Sequence, residues 1–298
     1  MAEGKSSERA PYLLALPTWL VLGVFFLLPL FVLFLISFGQ RATYGGLKPI
    51  DDLWTYVASG KVLAQYARSF HGIYLQIFWR SIWMAVVTTG LCLLVSYPVA
   101  YYIAVVAPER RRNLLLGLVV IPFWTSFLIR TYAWMFILRT EGLANKLLMA
   151  SGLTSKPLEL LYNDFSVLLG LVYGELPFMI LPLYASLEKL DLSLLEASAD
   201  LGAPRQSTFW RVTVPMTMPG IVAGIILVFV PSLGQFIVSD LLGGAKTILA
   251  GNLIQNQFAV ARNKPFGSAL AFELTAAVLL LLVAYAVYAK RRGGEDLL

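Results

Sequence analysis

The chain has 298 residues, of which 58% are hydrophobic and 13% are charged. Its mean hydropathy of +0.74 excludes a water-soluble domain, which could not hide so much apolar surface from water. One cysteine and one histidine exclude a disulfide and a His/Cys metal cluster, and a net charge of +6 without a soluble basic surface gives no indication of a nucleic-acid partner.

Six apolar stretches are long enough to cross about 30 Å of hydrocarbon as helices. They cover residues 13–38, 82–106, 114–138, 167–187, 220–240 and 269–289. The first is longer than the apolar region of a signal peptide and no small-residue cleavage site follows it, so we expect it to be retained. The sequence thus predicts an all-α integral membrane protein with six transmembrane helices. We expect one domain over 1–298, in which the first span is added to a core of about 80–290.

Basic residues beside the spans favour one orientation. Arg110, Arg111 and Arg112 crowd the short loop after the second span, and Lys290–Arg292 directly follow the last span. The total numbers of Lys and Arg on the two sides are nearly equal, but the positive-inside rule gives most weight to short loops and span ends. We therefore expect a multi-pass protein with both termini in the cytoplasm.

The segment 188–219 is then the longest cytoplasmic loop, and its sequence predicts two short helices. Ser193-Leu194-Leu195-Glu196 has the pattern of a capping box, which would start a helix near residue 194. Gly202 suits the position just after a helix, and Pro204 suits the beginning of the next one. The loop is therefore expected to form a helix, a turn and a second helix.

The first of these helices carries a surface almost free of side chains, which another protein could approach closely. Its members are Ala197, Ser198, Ala199, Gly202 and Ala203. The alternative is an amphipathic hairpin that lies on the membrane interface and binds no protein. The residues buried in lipid would then be Leu194, Leu195, Leu201, Phe209 and Trp210. These residues alone leave both interpretations open.

The same loop resembles the signature loop of ABC-transporter permeases, which reads Glu-Ala-Ala, three residues, Gly, nine residues, Ile, one residue and Leu-Pro. Four positions match outright and three carry small replacements. The matches are Glu196, Ala197, Gly202 and Pro215, and the replacements are Ser198, Val212 and Val214. In that family the loop is the coupling helix, which sits in a groove of the cytoplasmic ATPase subunit. The resemblance implies that Glu196, Ala197, Ser198, Gly202, Pro204 and Pro215 serve ATPase coupling.

Three longer segments resemble the permeases of spermidine/putrescine importers, most of all the B-type subunit. They are IPFWTSFLIRTYAW (121–134), LPFMILPLYASLEKLDLSLLEASADLGA (176–203) and VPMTMPGIVAGIILVFVPSLGQFIVSDLLGG (214–244). The resemblance implies a type I ABC importer of the bacterial inner membrane. This chain would form half of the pathway with a second permease subunit as a heterodimer. ABC ATPase subunits would drive it, and an extracytoplasmic polyamine-binding protein would deliver the cargo.

Motifs for catalysis are missing from the sequence. The stretch LLGGAKT (241–247) inserts Ala245 before Lys246 and so departs from a phosphate-binding loop. Neither a metalloprotease motif nor a nucleophile elbow occurs, and His71 has no nucleophile or carboxylate beside it. We therefore expect a non-catalytic subunit without a catalytic residue, cofactor or metal site.

Three carboxylates lie at membrane depth, where a charge costs roughly 2.5 to 3.5 kcal/mol at the bilayer centre. Glu175 interrupts the fourth span, Glu273 interrupts the sixth, and Asp240 ends the fifth. We predict that Glu175 and Asp240 meet a cationic cargo, whereas Glu273 fits an internal bond equally well. Aromatic faces for ammonium groups are offered by Trp124, Tyr132 and Tyr173, for which belt or core packing is the alternative.

Other cargoes and other classes of protein stay open at this point. An importer of the same architecture for ferric iron or a phosphonate is the nearest alternative, although an anionic cargo calls for Arg or Lys where this sequence has Glu175 and Asp240. A channel would conduct without ATPase subunits, and a membrane enzyme would need a polar catalytic cluster. The sequence does not separate spermidine from putrescine.

Overall fold

The computed structural model describes residues 10–43, 45–49 and 52–291. Within these ranges the regular structure is helical, apart from one isolated bridge between Arg41 and Leu47. Packing divides the chain into two units. One contains the described part of Met1–Leu75 together with Leu253–Tyr288, and the other is built from Gln76–Asn252.

Four helices in the described part are long and apolar enough to cross a membrane: Leu16–Ser37, Gly72–Val106, Asp164–Leu187 and Lys264–Val287. Two helix pairs qualify only when each pair is taken together. They are Glu109–Trp124 with Phe127–Ala150, bent by 87°, and Arg205–Met216 with Met218–Gly234, bent by 67°. If each bent pair counts as one span, the six predicted spans correspond to four continuous helices and two broken ones. We number them as the first to sixth spans in chain order.

The third predicted span, 114–138, is wrong as one continuous helix. The helix Glu109–Val120 ends in a 3₁₀ turn at Ile121–Trp124, and a new helix, Phe127–Leu138, follows. Pro122 cannot donate a backbone hydrogen bond. The Thr125 hydroxyl donates to the Pro122 carbonyl at 2.7 Å, which satisfies one backbone group at the break.

The fifth predicted span, 220–240, is also interrupted. Its helix Met218–Gly234 ends before an extended Gln235, and a separate short helix, Ile237–Gly243, carries Asp240. The backbone at the break lies close to Gly251, where an added Cβ would come within 2.5 Å of the Gly234 carbonyl oxygen. Asp240 therefore follows a break in the chain and does not end a continuous span.

The unit built from 76–252 has its core between the fourth span and the helix Met218–Gly234. Met179, Leu183 and Val228 are fully buried there. An added Cβ on Gly220 would lie 2.5 Å from the Ser186 Cβ and 2.6 Å from the Pro182 carbonyl oxygen. Glycine at this position lets the two helices approach more closely than any side chain permits.

The other unit joins the first and sixth spans through aromatic and polar contacts. Phe34 packs on Phe272 with ring centroids 4.8 Å apart. The Ser69 hydroxyl, at the end of the helix Ala64–Ser69, donates to the Glu273 carboxylate at 2.5 Å. Glu273 thus has a partner within its own unit, which favours the structural interpretation of this carboxylate. Of the basic residues after the sixth span, Arg292 lies outside the described residues.

Candidate functional site

The loop after the fourth span forms the helix–turn–helix that the sequence predicts. Its first helix is Ser193–Asp200, and its second is Arg205–Thr208, which continues as a π-helical turn at Phe209–Thr213. Gly202 between them has a φ of +74°, and the Ala203 N–H donates to the Ser198 carbonyl at 3.1 Å. This is the arrangement of a helix that ends at a left-handed glycine, so the predicted end at Gly202 and restart after Pro204 are confirmed.

The predicted capping box at the start of this loop is wrong. The residue before the helix is Leu192, which makes no side-chain cap. The Asp191 carboxylate instead accepts the Ser193 N–H at 3.0 Å. Hydrogen bonds from Ser193, first from its side chain and then from its backbone, hold the pKa of Asp191 below its usual value. The Glu196 side chain makes no capping hydrogen bond and is exposed.

The small-residue surface of the loop is open at its tip. Ala197 and Ala199 are exposed, and Leu201 is 88% exposed. No atom lies within 4 Å of where a Cβ on Gly202 would be. Ser198 differs from the others, because its hydroxyl is 2.8 Å from the Thr208 hydroxyl and joins the two short helices.

The base of the loop is tied to the second span by an aromatic and a polar contact. The Phe209 ring meets the Tyr97 ring edge-on, with centroids 5.3 Å apart. The Tyr97 and Thr217 hydroxyls are both buried and lie 2.9 Å apart. Thr217 sits at the 67° bend of the fifth span. Phe209 therefore packs against protein. The alternative of a hairpin on the membrane interface had placed this residue in lipid, so the contact disagrees with that alternative at Phe209.

A cavity of about 390 Å³ lies beside the fourth span in the same unit. The residues that line it are Phe123, Phe127, Arg130, Gly174, Glu175, Phe178, Leu227, Pro231 and Gln235. Glu175 is 5% exposed, and among the described residues its Oε2 atom has no hydrogen-bond partner. A buried carboxylate oxygen without a partner is costly, so this cavity suits a group that brings a donor or a positive charge.

Arg130 is the second charged residue of this cavity, and the sequence analysis did not select it. Its guanidinium carbon lies 4.2 Å from the centroid of the Phe123 ring. Its Nε and Nη1 atoms are buried and make no hydrogen bond within the described residues. The signal was available in IPFWTSFLIRTYAW, where a basic residue interrupts an apolar stretch as the carboxylates do, but only carboxylates were considered. The argument against an anionic cargo assumed that the pathway lacks Arg or Lys. Because Arg130 lines this cavity, that argument does not distinguish a cationic cargo from an anionic one.

The other predicted pathway residues are not brought to this cavity. Asp240 is exposed on the helix Ile237–Gly243 and does not line it. Trp124 is 82% exposed and Tyr132 is 45% exposed, and neither lines it. Tyr173 lies behind the lining, with its ring stacked on Phe123 at 5.9 Å between centroids. Of the predicted set, Glu175 is therefore in the cavity and Tyr173 supports its wall.

Comparison with known proteins gives the class of this chain. Residues 96–292 match the family described as "Binding-protein-dependent transport system inner membrane component", and the chain belongs to this family of inner membrane permeases. It is 43% identical over 268 residues to the spermidine/putrescine transport system permease protein PotB of Haemophilus influenzae, covering 90% of this chain and 89% of that protein. PotB of Escherichia coli K12 is 43% identical over 267 residues, covering 90% and 92%.

More distant relatives agree on the fold. The inner membrane ABC transporter permease protein YdcU of Escherichia coli K12 is 34% identical, covering 93% of this chain and 92% of that protein. A bacterial ABC transporter involved in the import of the acidic polysaccharide alginate has a chain that superposes with a TM-score of 0.64 at 18% identity, covering 94% of each chain. The predicted all-α fold of a type I ABC importer permease and the resemblance to spermidine/putrescine permeases are confirmed.

Proposed function

We propose that this chain is a permease subunit of an ATP-driven importer of spermidine and putrescine. The observation that carries the proposal is the identity of 43% over 90% of the chain to PotB. The chain itself is non-catalytic, and ATP is hydrolysed by partner ABC ATPase subunits. A second permease subunit completes the pathway as a heterodimer, and an extracytoplasmic binding protein delivers the polyamine.

The whole chain, 1–298, acts as one permease domain with both termini in the cytoplasm. Arg110–Arg112 supports this orientation, because these residues lie in the first turns of the helix Glu109–Val120, directly after the second span. The loop 188–219 then faces the ATPase. Its open surface at Ala197, Ala199 and Gly202 supports docking into a groove of that partner.

Transport follows from movement of this loop. ATP binding closes the ATPase dimer and displaces the helices Ser193–Asp200 and Arg205–Thr208. Phe209 passes the displacement to Tyr97 in the second span, and the Tyr97–Thr217 contact passes it to the bend of the fifth span. Met218–Gly234 carries Leu227 and Pro231 of the cavity wall, so this movement opens the cavity to one side of the membrane and then to the other.

The cargo is a chain of ammonium groups separated by methylenes, roughly 5 to 6 Å apart in an extended chain. Glu175 meets one ammonium, and apolar lining residues such as Phe178 and Leu227 cover the methylenes. Asp240 serves a second contact outside this cavity, together with the exposed rings of Trp124 and Tyr132. Tyr173 acts through the Phe123 wall.

Uptake into proteoliposomes tests the proposed function. The chain is purified with its ATPase, second permease and binding protein, and uptake of radiolabelled spermidine and putrescine is measured with ATP inside the vesicles. We expect uptake that stops when the ATPase subunits carry a hydrolysis-deficient substitution. Uptake of a phosphonate or ferric iron in place of both polyamines would contradict the proposed cargo. Conduction of polyamine without the ATPase would instead indicate a channel.

A further inference from the structure

The cavity beside the fourth span is lined by one acidic and one basic side chain, Glu175 and Arg130, which form no ion pair with each other or with another described residue. Among the described residues the one ion pair joins Arg80 and Asp164. Glu175 keeps a buried oxygen without a hydrogen bond, and Arg130 keeps two buried nitrogens without one. Uncompensated charges away from water are costly, and pairing of the two would remove much of that cost.

The guanidinium of Arg130 is held by aromatic rings. Its carbon lies 4.2 Å from the Phe123 centroid, 5.8 Å from that of Phe127 and 6.0 Å from that of Tyr173. A planar guanidinium is weakly hydrated and stacks well on such rings, so this position is a stable resting place for it. The aromatic faces that would cover a cargo ammonium are thus already used by a cation of the protein itself.

One of these rings, Phe127, also lies near the residue that precedes Glu175. Phe127 is one of the rings beside Arg130, and its edge lies 3.4 Å from where a Cβ on Gly174 would be, next to Glu175. Arg130 and Glu175 both line the cavity. Pairing of the two requires that the Arg130 guanidinium leaves the rings and approaches the carboxylate.

We propose that Arg130 is the counter-ion of Glu175: it pairs with the carboxylate as the cargo leaves, and it withdraws onto Phe123 before the next cargo ammonium takes its place. The described arrangement is the cargo-accepting one. This inference rests on the proposed function, since it assigns the polyamine to this cavity. Arg130 is a positioning residue in this scheme, because it acts on the cargo through Glu175.

The consequence is a limit on how tightly the pathway holds its cargo. A tethered cation competes at an effective concentration in the millimolar range or above. A bare buried carboxylate would trap a polyammonium ion, whereas transport needs a site that releases it. Arg130 therefore speeds release by returning to Glu175 as the cargo leaves.

Arg130→Gln in the purified assembly tests this role. We expect at least fivefold slower uptake of spermidine at saturating binding protein, and at least fivefold more labelled spermidine retained per assembly after rapid filtration. Arg130→Lys keeps the charge and should stay within threefold of the unsubstituted chain in both measurements. Arg139→Gln is the matched control, because Arg139 ends the same helix, is exposed, and stacks on Phe136 at 4.8 Å outside the cavity. It should behave as the unsubstituted chain.

The double variant Glu175→Gln with Arg130→Gln separates a role through Glu175 from a structural one. Its uptake and retention should equal those of Glu175→Gln alone within twofold. An added defect in the double variant, or normal uptake and retention in Arg130→Gln, would overturn the inference. Arg130→Met serves as a second neutral variant if Arg130→Gln fails to assemble, and failure of both to assemble in the Glu175→Gln background would show that Arg130 is structural. Absence of polyamine uptake by the unsubstituted assembly would refute the proposed function instead.

Discussion

Glu175 is a buried carboxylate whose burial is energetically unfavourable and which we propose to contact the cargo. It is 5% exposed in the wall of a cavity, with one oxygen that lacks a hydrogen bond within the described residues. A carboxylate at this depth is stable only with a partner, water or a cation. In the proposed function that cation is a cargo ammonium, and we further propose that Arg130 takes its place when the cargo leaves.

Neutralising the proposed cargo carboxylates should slow transport without affecting capture. We expect Glu175→Gln with Asp240→Asn to reduce polyamine uptake at least tenfold, equivalent to about 1.4 kcal/mol in the barrier. Binding of polyamine to the extracytoplasmic protein, measured by calorimetry, should stay unchanged. Each single variant shows which carboxylate is responsible, and because Asp240 does not line the Glu175 cavity, we expect Glu175→Gln to account for most of the loss. Normal uptake by the double variant would make both carboxylates structural.

At the scale of the element, the loop 188–219, which we propose to be the coupling loop, combines a base packed against the second span with an open tip. Its base is fixed by Phe209 against Tyr97 and by the Ser198–Thr208 hydrogen bond. Its tip exposes Leu201 and the left-handed Gly202. An open tip is available for a partner, and a base that contacts the second span gives a displaced loop a direct contact with that span.

Substitutions at this tip should uncouple ATP hydrolysis from uptake while the spans stay folded. Gly202→Asp places a side chain at a left-handed φ and on the proposed contact surface, and Glu196→Lys reverses an exposed charge. We expect losses of about 1 to 3 kcal/mol each in ATPase binding, measured by co-purification and by cargo-stimulated hydrolysis. Gly202→Ala keeps the backbone strain without the charge, and Gln206→Asp is a control on the exposed second helix. Unchanged binding and hydrolysis in both test variants would contradict docking at this loop.

A second element-scale prediction concerns the contact between the fourth and fifth spans. An added Cβ on Gly220 meets the backbone oxygen of Pro182 at 2.6 Å, which cannot move without bending a helix. Gly220→Ala should therefore destabilise the chain by about 1 to 3 kcal/mol, as overpacking does. Gly90→Ala is the matched control, because nothing lies within 4 Å of its added Cβ and alanine favours a helix. Thermal unfolding in detergent should separate the two variants, and equal midpoints would contradict the packing argument.

At the scale of the whole molecule, the apolar spans divide their surfaces between the protein interior and the surroundings. Its continuous spans differ in how much they are buried within the protein, from 56% of the hydropathy window for Asp164–Leu187 to 6% for Leu16–Ser37 and for Lys264–Val287. A helix that is apolar on all sides and exposed from its own chain must face lipid or another subunit. The first and sixth spans therefore have surface available for lipid and for the second permease subunit.

The proposed orientation is tested on the intact chain. A reporter that fluoresces only in the cytoplasm, fused after Leu298, should be bright, because the Arg110–Arg112 cluster favours a cytoplasmic position for that side of the second span. The same reporter inserted after Gly60, an exposed left-handed turn on the opposite side of the second span, should be dark. A dark C-terminal fusion with protein present in the membrane would reverse the orientation and remove the basis for ATPase docking.

By itself, the sequence determined the class of protein, its all-helical membrane fold and the helix–turn–helix form of the loop 188–219. Apolar stretches and short motifs act over neighbouring residues, so hydropathy identifies the spans, and Gly202 and Pro204 mark where helices end and begin. The fold and the family resemblance were therefore predictable without a structure. The Asp191 carboxylate accepts the Ser193 N–H at the start of this helix, where the sequence had predicted a capping box, and that acceptor was also visible in the sequence.

Only the tertiary structure decided which of these residues meet. Glu175 and Asp240 are both carboxylates within apolar stretches, so the sequence gives them the same role. In the structure Glu175 lines a cavity with Arg130, whereas Asp240 follows the break at Gln235 and lies outside that cavity. The side of a helix that a residue faces depends on where each helix bends, and the bends at Thr125 and Thr217 are satisfied by local hydrogen bonds and by packing against segments far away in the chain. Hydropathy carries no information about those contacts, since a broken span and a continuous one have the same apolar composition.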